Sequence, residues 1–126
     1  MMKLSPVLIV DAIEPCLPLW DALGFARSFE MPDGDTIGFV ILTKDNVEVM
    51  YQTRASVGTD LPALASQMFQ ASLYIETDDL DAVEKAAANA PRVIPRRTTE
   101  YGMEEVWIRD GAGNVIGFAR PTGTGS

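Results

Sequence analysis

Apolar and β-branched runs alternate along the chain with short polar turns and with two stretches of helical spacing. The first run, LSPVLIVD at residues 4–11, is typical of a strand buried on both faces. A helix is predicted next, because Pro15 suits a first helical position and Gly24 suits a left-handed stop. The apolar residues that share one face of this helix are Cys16, Leu19, Trp20 and Leu23. Three further runs, separated by tight turns, predict strands at residues 25–30, 36–43 and 47–53.

The same order of elements recurs in the second half of the chain. A strand is predicted at residues 71–76 and a helix at 80–89, followed by strands at 92–98, 105–109 and 115–120. Residues 54–70 carry glycine, proline and a weakly helical run, which predicts a linker with a short helix. We therefore expect a single domain over residues 1–126, built from one module at 4–53 and another at 71–120.

Charge and composition exclude several classes of partner and chemistry. The formal net charge of −8 repels phosphate backbones and anionic lipid surfaces, so we expect neither nucleic acid nor membrane as a partner. The single cysteine fits a reducing compartment, and no apolar run reaches the roughly 18 residues that a membrane span needs. We expect a soluble cytoplasmic protein. The chain has no histidine, which removes the commonest metal ligand and the commonest general base.

Two phrases carry a family resemblance. The stretch YGMEEVWIRDGAGNVIGFAR, from Tyr101, predicts a hairpin that resembles the closing hairpin of the vicinal oxygen chelate superfamily. Its lead-in, with Tyr101, Gly102, Met103 and Glu105, is most similar to the bleomycin-resistance branch, and LWDALGF at residues 19–25 resembles the end of the family's first helix. The resemblance implies an α+β fold in which two βαβββ modules form incomplete-barrel sheets around a groove. It also implies a homodimer.

The family's metal positions are largely lost in this sequence. Matching motif to motif, the resemblance places them at Ser5, Glu48, Ser72 and Gly117. Only Glu48 is of a ligand type, because a neutral serine is a poor ligand and glycine offers no side chain. We therefore expect no metal and no other cofactor.

The candidate ligand-binding residues are aromatic or charged side chains on the predicted strands. Glu48 is open to two interpretations, a surface carboxylate or an acceptor facing the groove, and strand alternation places it on one face with Met50. Tyr74, Tyr101 and Trp107 are of the polar-ended aromatic type that lines apolar pockets. Arg109 begins the hairpin turn, where turn chemistry is the alternative role. The full predicted set is Glu48, Met50, Tyr74, Tyr101, Trp107 and Arg109.

Two arginines and the single cysteine are further candidates for a role at the site. Arg96 and Arg97 belong either to a solvated edge strand or to the rim of the groove. Cys16 lies on an apolar helical face and has no histidine partner, so we expect a buried structural thiol and assign no catalytic residue.

Three functions follow from these observations. The first is a metal-independent small-molecule binding protein that resembles bleomycin resistance proteins and sequesters an amphipathic, cationic ligand. The second is a lyase or isomerase of the glyoxalase or dioxygenase kind with a degenerate metal site. The third is a domain that has lost its ligand and serves as an interaction module.

Overall fold

Two compact units, Met1–Phe69 and Gln70–Ser126, make up the chain. They are seen in a computed structural model, which describes residues 3–65 and 72–123. Each unit contains a strand, helical structure and three further strands, which form a four-stranded mixed sheet. The predicted α+β fold with two βαβββ modules is confirmed.

The first unit forms a sheet with the strand order β1-β4-β3-β2. Its elements are β1 (Val7–Val10), a 3-10 turn (Glu14–Cys16), α1 (Leu17–Ala22), β2 (Ala26–Asp33), β3 (Thr36–Lys44), β4 (Val47–Thr53), α2 (Arg54–Asp60) and α3 (Pro62–Ala65). Strand β1 runs parallel to β4, and the other pairs are antiparallel. This order leaves β2 at one edge of the sheet.

An aromatic pair anchors the core of the first unit. Alternation along β4 buries Val49 and Tyr51 and leaves the opposite face half-buried, as the sequence predicted. The indole Nε1 of Trp20 donates to the Tyr51 hydroxyl at 2.9 Å, and both side chains are fully buried. The Trp20 ring also meets Phe25 edge-on, with centroids 4.8 Å apart. Helix α1 is thereby fixed to the sheet, and Cys16 beside it is buried.

The segment after β4 is more helical than the sequence indicated. Helix α2 begins directly after β4, because the Thr53 hydroxyl caps it by accepting from the backbone N–H of Ser56 at 3.1 Å. Burial of Val57 then holds the helix on the sheet despite Gly58. The rest of the predicted short helix, at residues 66–70, lies outside the described residues, as does Ala71 of the next predicted strand.

The second unit repeats the arrangement with the strand order β5-β8-β7-β6. Its elements are β5 (Ser72–Glu76), α4 (Leu80–Ala86), β6 (Arg92–Thr98), β7 (Met103–Arg109) and β8 (Val115–Pro121). Asp79 caps α4 by accepting from the backbone N–H of Ala82 at 3.0 Å. The helix ends earlier than predicted, and the backbone at Ala87 is no longer helical.

The parallel strand pair has the same sequence offset in both sheets. In the first unit Val7 of β1 pairs with Met50 of β4, and in the second Ser72 of β5 pairs with Val115 of β8, an offset of 43 residues in both. The predicted hairpin between β7 and β8 closes where Asp110 Oδ1 accepts from the backbone N–H of Asn114 at 2.8 Å. Gly113 in this turn has a φ of 91°, which glycine adopts at little cost.

Among the residues that the structure describes, no helix is long and apolar enough to cross a membrane.

Candidate functional site

Glu48, near the start of β4, is held by two side chains that precede β1. The Ser5 hydroxyl donates a short hydrogen bond to Oε2, and Lys3 Nζ donates to Oε1 at 3.0 Å. The carboxylate side chain is 15% exposed. The hydrogen bond from Ser5, followed by that from Lys3, lowers the pKa of Glu48. Two of the four predicted metal positions, Ser5 and Glu48, are thus neighbours that bond to each other.

The other two predicted metal positions, Ser72 and Gly117, lie in the second unit. Ser72 pairs with Val115 and is exposed, whereas Gly117 pairs with Tyr74 on one side and with Trp107 on the other. A Cβ atom placed on Gly117 would stand 2.8 Å from three atoms of the Trp107 indole. The space that a ligand side chain would need at this position is therefore filled by Trp107.

A buried carboxylate with aromatic partners is the main polar feature of the second unit. We call it the Glu105 cluster and define it as Tyr74, Arg97, Tyr101, Glu105 and Trp107. Glu105 Oε2 accepts from the Tyr74 hydroxyl at 2.6 Å and from the Tyr101 hydroxyl at 3.1 Å. Oε1 accepts from Arg97 through Nε at 3.0 Å and Nη2 at 2.7 Å, and from Trp107 Nε1 at 3.1 Å. One carboxylate thus orients four side chains.

Hydrogen bonding dominates the ionisation of Glu105. Burial raises the pKa of this carboxyl, but the hydrogen bonds from Tyr74, Arg97, Trp107 and Tyr101 outweigh burial and lower the pKa to about 2. For Tyr74, burial and then the hydrogen bond to Glu105 raise the pKa of the phenol. Glu105 is therefore a permanent anion at neutral pH and a weak base.

The two tyrosines of the Glu105 cluster are exposed and Trp107 is half-buried, whereas the carboxylate is fully buried. Tyr101 is 67% exposed and Tyr74 is 47% exposed, whereas Glu105 has no exposed surface. The ring centroids of Tyr74 and Trp107 lie 5.6 Å apart, and the angle between the ring planes is 39°. The structure thus brings together three of the predicted ligand-binding residues, Tyr74, Tyr101 and Trp107. It places them around Glu105, an acceptor that sequence reasoning missed.

The remaining predicted ligand-binding residues are not members of the Glu105 cluster. Glu48 and Met50 belong to the first unit, on the half-buried face of β4. Arg109 ends β7, is exposed, and donates through Nη1 to the carbonyl of Gly113 at 2.9 Å. Its observed contact is thus the turn interaction that the sequence offered as the alternative.

The first unit contains a cavity of about 460 Å³ beside β2, β3, β4 and α2. Its lining comprises Phe29, Met31, Pro32, Asp33, Phe39, Gln52, Ser56, Thr59 and Asp60. We call it the β2 pocket. The rings of Phe29 and Phe39 meet edge-on with centroids 6.1 Å apart. Glycine at position 38 allows close packing here, since a Cβ atom on this residue would stand 3.0 Å from Cβ of Asp33.

The β2 pocket combines exposed apolar surface with carboxylates. Phe29 is 46% exposed and Met31 is 52% exposed, and the acids among the lining residues are Asp33 and Asp60. None of the lining residues was predicted as a site residue. The available sequence signal was Phe29 and Met31 in a strand of otherwise polar character, which indicates apolar side chains left at a surface.

No protein-family model matches the sequence, and no curated protein matches it significantly. Solved structures do match it. TioX from Micromonospora sp. ML1 has a TM-score of 0.75 and 20% identity, with 96% of this chain and 99% of that chain covered. Lactoylglutathione lyase from Agrobacterium tumefaciens has a TM-score of 0.74 and 16% identity, with 99% and 97% covered. A glyoxalase/bleomycin resistance protein/dioxygenase from Nocardioides has a TM-score of 0.70 and 14% identity, with 100% and 87% covered.

The chain has the vicinal oxygen chelate fold. The sequence resemblance implies four metal positions, and the donor atoms present at them do not fit a divalent metal. Among residues 3–65 and 72–123, no three acidic or cysteine side chains converge. Glu48 is paired with the ammonium of Lys3, whose positive charge repels a divalent cation. Gly117 provides no donor, and its surroundings are occupied by the Trp107 ring.

Proposed function

We propose that this chain is a small-molecule binding protein that holds an amphipathic, cationic ligand without a metal, in the manner that the resemblance to bleomycin resistance proteins implies. The β2 pocket is the observation that carries the proposal. Its volume of about 460 Å³ lies within the range of roughly 300–1,000 Å³ that is typical of small-molecule sites. Binding of this kind requires shape and charge and no chemical step.

The apolar side chains of the β2 pocket favour the apolar part of such a ligand. Phe29 and Met31 present exposed apolar surface, and burying it under a ligand is favourable by roughly 25 cal/mol per Å². Met31 adapts its shape easily because its side chain is unbranched. The edge-on pair of Phe29 and Phe39 offers ring faces on which a cation or a flat ring can rest.

The carboxylates of the β2 pocket favour a positive charge. Asp33 and Asp60 contribute two acidic groups to the lining, and the chain as a whole carries a formal charge of −8. An excess of acid attracts cations over distances up to the Debye length, about 8 Å at physiological salt. We therefore expect affinity for a cation that falls as salt is added.

The donor chemistry supports binding without a metal. Glu48 is the one predicted metal position of ligand type, and its two oxygens are engaged by Ser5 and Lys3. The same contacts count against the alternative of a glyoxalase-like or dioxygenase-like enzyme. Both Glu48 and Glu105 have lowered pKa values, which makes them poor general bases at neutral pH.

Calorimetry with matched ligands tests the proposal. Naphthylmethylammonium, its neutral analogue naphthylmethanol and a bleomycin-family compound form the panel. Asp33→Asn and Asp60→Asn should each weaken binding of the ammonium compound a few-fold, on the order of 0.5–1 kcal/mol for an exposed ion pair, and should leave naphthylmethanol unaffected. Asp45→Asn is the matched control, because it removes the same charge from a turn outside the β2 pocket and asparagine tolerates the φ of 53° found there.

Three results would count against this function. Equal affinity for the ammonium compound and the alcohol would remove the case for a cationic ligand. An equal loss in Asp45→Asn would assign the effect to overall charge and not to the β2 pocket. Absence of any binding or thermal stabilisation across the panel at hundreds of micromolar would favour the interaction module that has lost its ligand.

A further inference from the structure

One edge of the Arg97 guanidinium donates to Glu105. Its Nε–H and one Nη2–H go to Oε1 of Glu105. A guanidinium has five N–H donors in a rigid fork, so the Nη1 and outer Nη2 donors point along a second edge. The Arg97 side chain is 50% exposed while its partner has no exposed surface. Among the described residues, these contacts with Glu105 are the only hydrogen bonds that the Arg97 side chain makes.

Aromatic surface lies beside this edge in a fixed arrangement. Tyr74 and Tyr101 are anchored by their hydroxyls to the same carboxylate as Arg97, and both rings are exposed. Exposed tyrosines normally lose side-chain freedom when they bind a ligand. Here the hydrogen bonds to Glu105 have already fixed their position, which lowers the entropic cost of stacking a ring on them.

The charge of Glu105 does not prevent an anion from binding to Arg97. Five hydrogen bonds from four side chains stabilise the carboxylate from all sides, and it has no exposed surface. The neighbouring acid Glu104 has separate partners, with Arg120 Nη2 at 3.0 Å and Arg96 Nη2 at 3.2 Å. Neither acid occupies the outer edge of Arg97.

We propose that the Glu105 cluster, which shares no residue with the β2 pocket, is a second ligand site that binds an aromatic carboxylate. The ligand's carboxylate accepts hydrogen bonds from the outer edge of Arg97, since a guanidinium fork matches a carboxylate in two-point geometry. Its ring stacks on Tyr101 and the pair of Tyr74 and Trp107. Glu105 positions the site and does not touch the ligand.

Tryptophan fluorescence reports on this site directly. Trp20 is fully buried in the first unit, so quenching by an added compound reports Trp107. Naphthoate should quench the emission and naphthylmethanol should do so much less. Arg97→Lys keeps a positive charge for Glu105 but lacks the fork, and it should weaken naphthoate binding by about tenfold or more.

Two further variants separate the ring from the hydroxyl. Tyr101→Ala should weaken naphthoate binding, whereas Tyr101→Phe should retain most of it because the ring remains. Circular dichroism and the melting temperature confirm that each variant is folded. If Arg97→Lys in its folded state binds naphthoate as tightly as the parent chain, the proposed role of Arg97 is wrong. Absence of quenching by naphthoate at millimolar concentration, or equal quenching by naphthylmethanol, also overturns the proposal.

The two sites fail independently in these experiments. Asp60→Asn alters the β2 pocket and should leave naphthoate quenching unchanged, whereas Arg97→Lys should leave binding of naphthylmethylammonium unchanged. If the parent chain does not bind naphthylmethylammonium but does bind naphthoate, the proposed function is wrong and the aromatic carboxylate site is supported. The reverse result would end the second site alone.

Discussion

The Tyr74 hydroxyl donates to the Glu105 carboxylate over 2.6 Å although their strands, β5 and β7, are not neighbours. Strand β8 lies between them, and its residue opposite Tyr74 is Gly117. The missing side chain at Gly117 leaves room for the Trp107 ring to lie over the strand beside Tyr74. The arrangement of Tyr74 and Trp107 therefore depends on the missing side chain at Gly117 and on the buried carboxylate of Glu105.

Removing the Tyr74 hydroxyl should reduce stability in a pH-dependent way. The pKa of Glu105 is lowered from the usual 4.5 to about 2, so its contribution to stability is complete above about pH 4.5 and is lost as the pH falls through 2. Tyr74→Phe should lower the free energy of unfolding by on the order of 1–2 kcal/mol at neutral pH, since it removes a hydrogen bond to a charged group.

Urea denaturation at neutral pH and near pH 2 measures this effect. The difference between Tyr74→Phe and the parent chain should shrink at the lower pH, where the carboxyl becomes protonated in both. Tyr101→Phe is the control and should cost less, because its bond is longer at 3.1 Å and its ring is 67% exposed. A cost of Tyr74→Phe that does not change with pH would contradict an ionised Glu105 as its origin.

Adding a methyl group at Gly117 should disturb Trp107. Gly117→Ala places a Cβ 2.8 Å from three indole atoms, so the ring must move. We expect a loss of about 1–3 kcal/mol in the free energy of unfolding and a shift in the tryptophan emission. The control is a double-mutant cycle with Trp107→Leu, in which Gly117→Ala should cost much less. An equal cost in both backgrounds would show that the indole is not the obstacle.

We predict that no divalent metal binds with high affinity. Ser5 and Lys3 engage Glu48, and Ser72 and Gly117 supply no ligand of metal-binding type. Elemental analysis of protein purified without an affinity tag should therefore find zinc, nickel and iron well below one ion per chain. Stoichiometric metal would refute this, and loss of that metal in Glu48→Gln would identify the residue responsible.

We also predict a homodimer. Strand β1 lies at a sheet edge, and Val7 in this strand and Leu4 just before it are exposed apolar residues outside the β2 pocket. Apolar edges of this kind are commonly covered by association. Light scattering at low micromolar concentration should give twice the mass of one chain. A clean monomer at that concentration would contradict the prediction.

The pattern of the sequence was sufficient for the fold but not for every boundary. Alternating apolar positions in β4 and the turn chemistry at Asp110 and Gly113 specified strands and hairpin locally. Helix α2 was missed because Gly58 and nearby polar residues indicated a loop. Its stability comes from the Thr53 cap and from burial of Val57, and burial on a sheet is tertiary information that local propensity does not contain.

The candidate sites were predicted in part for a similar reason. Tyr74, Tyr101 and Trp107 were predicted from their residue type, but Glu105, in the run MEEVWIR, was named only as part of the lead-in to the hairpin. Its pairing with Arg97 depends on the β6–β7 register, which shifts twice between Arg92 and Arg97. Because a β-bulge adds an unpaired residue to one strand, the residues that face each other cannot be found by counting outwards from the turn. Predicting the β2 pocket would have required knowing that residues of α2 and β2 line the same cavity.

The location of cation binding tests the central claim most directly. A two-dimensional ¹⁵N–¹H NMR titration with naphthylmethylammonium should move the amide signals of Phe29, Met31, Phe39, Gln52 and Asp60, which line the β2 pocket. Signals of the Glu105 cluster should stay in place, and naphthylmethanol should cause weaker shifts at the same residues. Shifts confined to residues outside the β2 pocket, or no shifts at millimolar ligand, would contradict the proposed function.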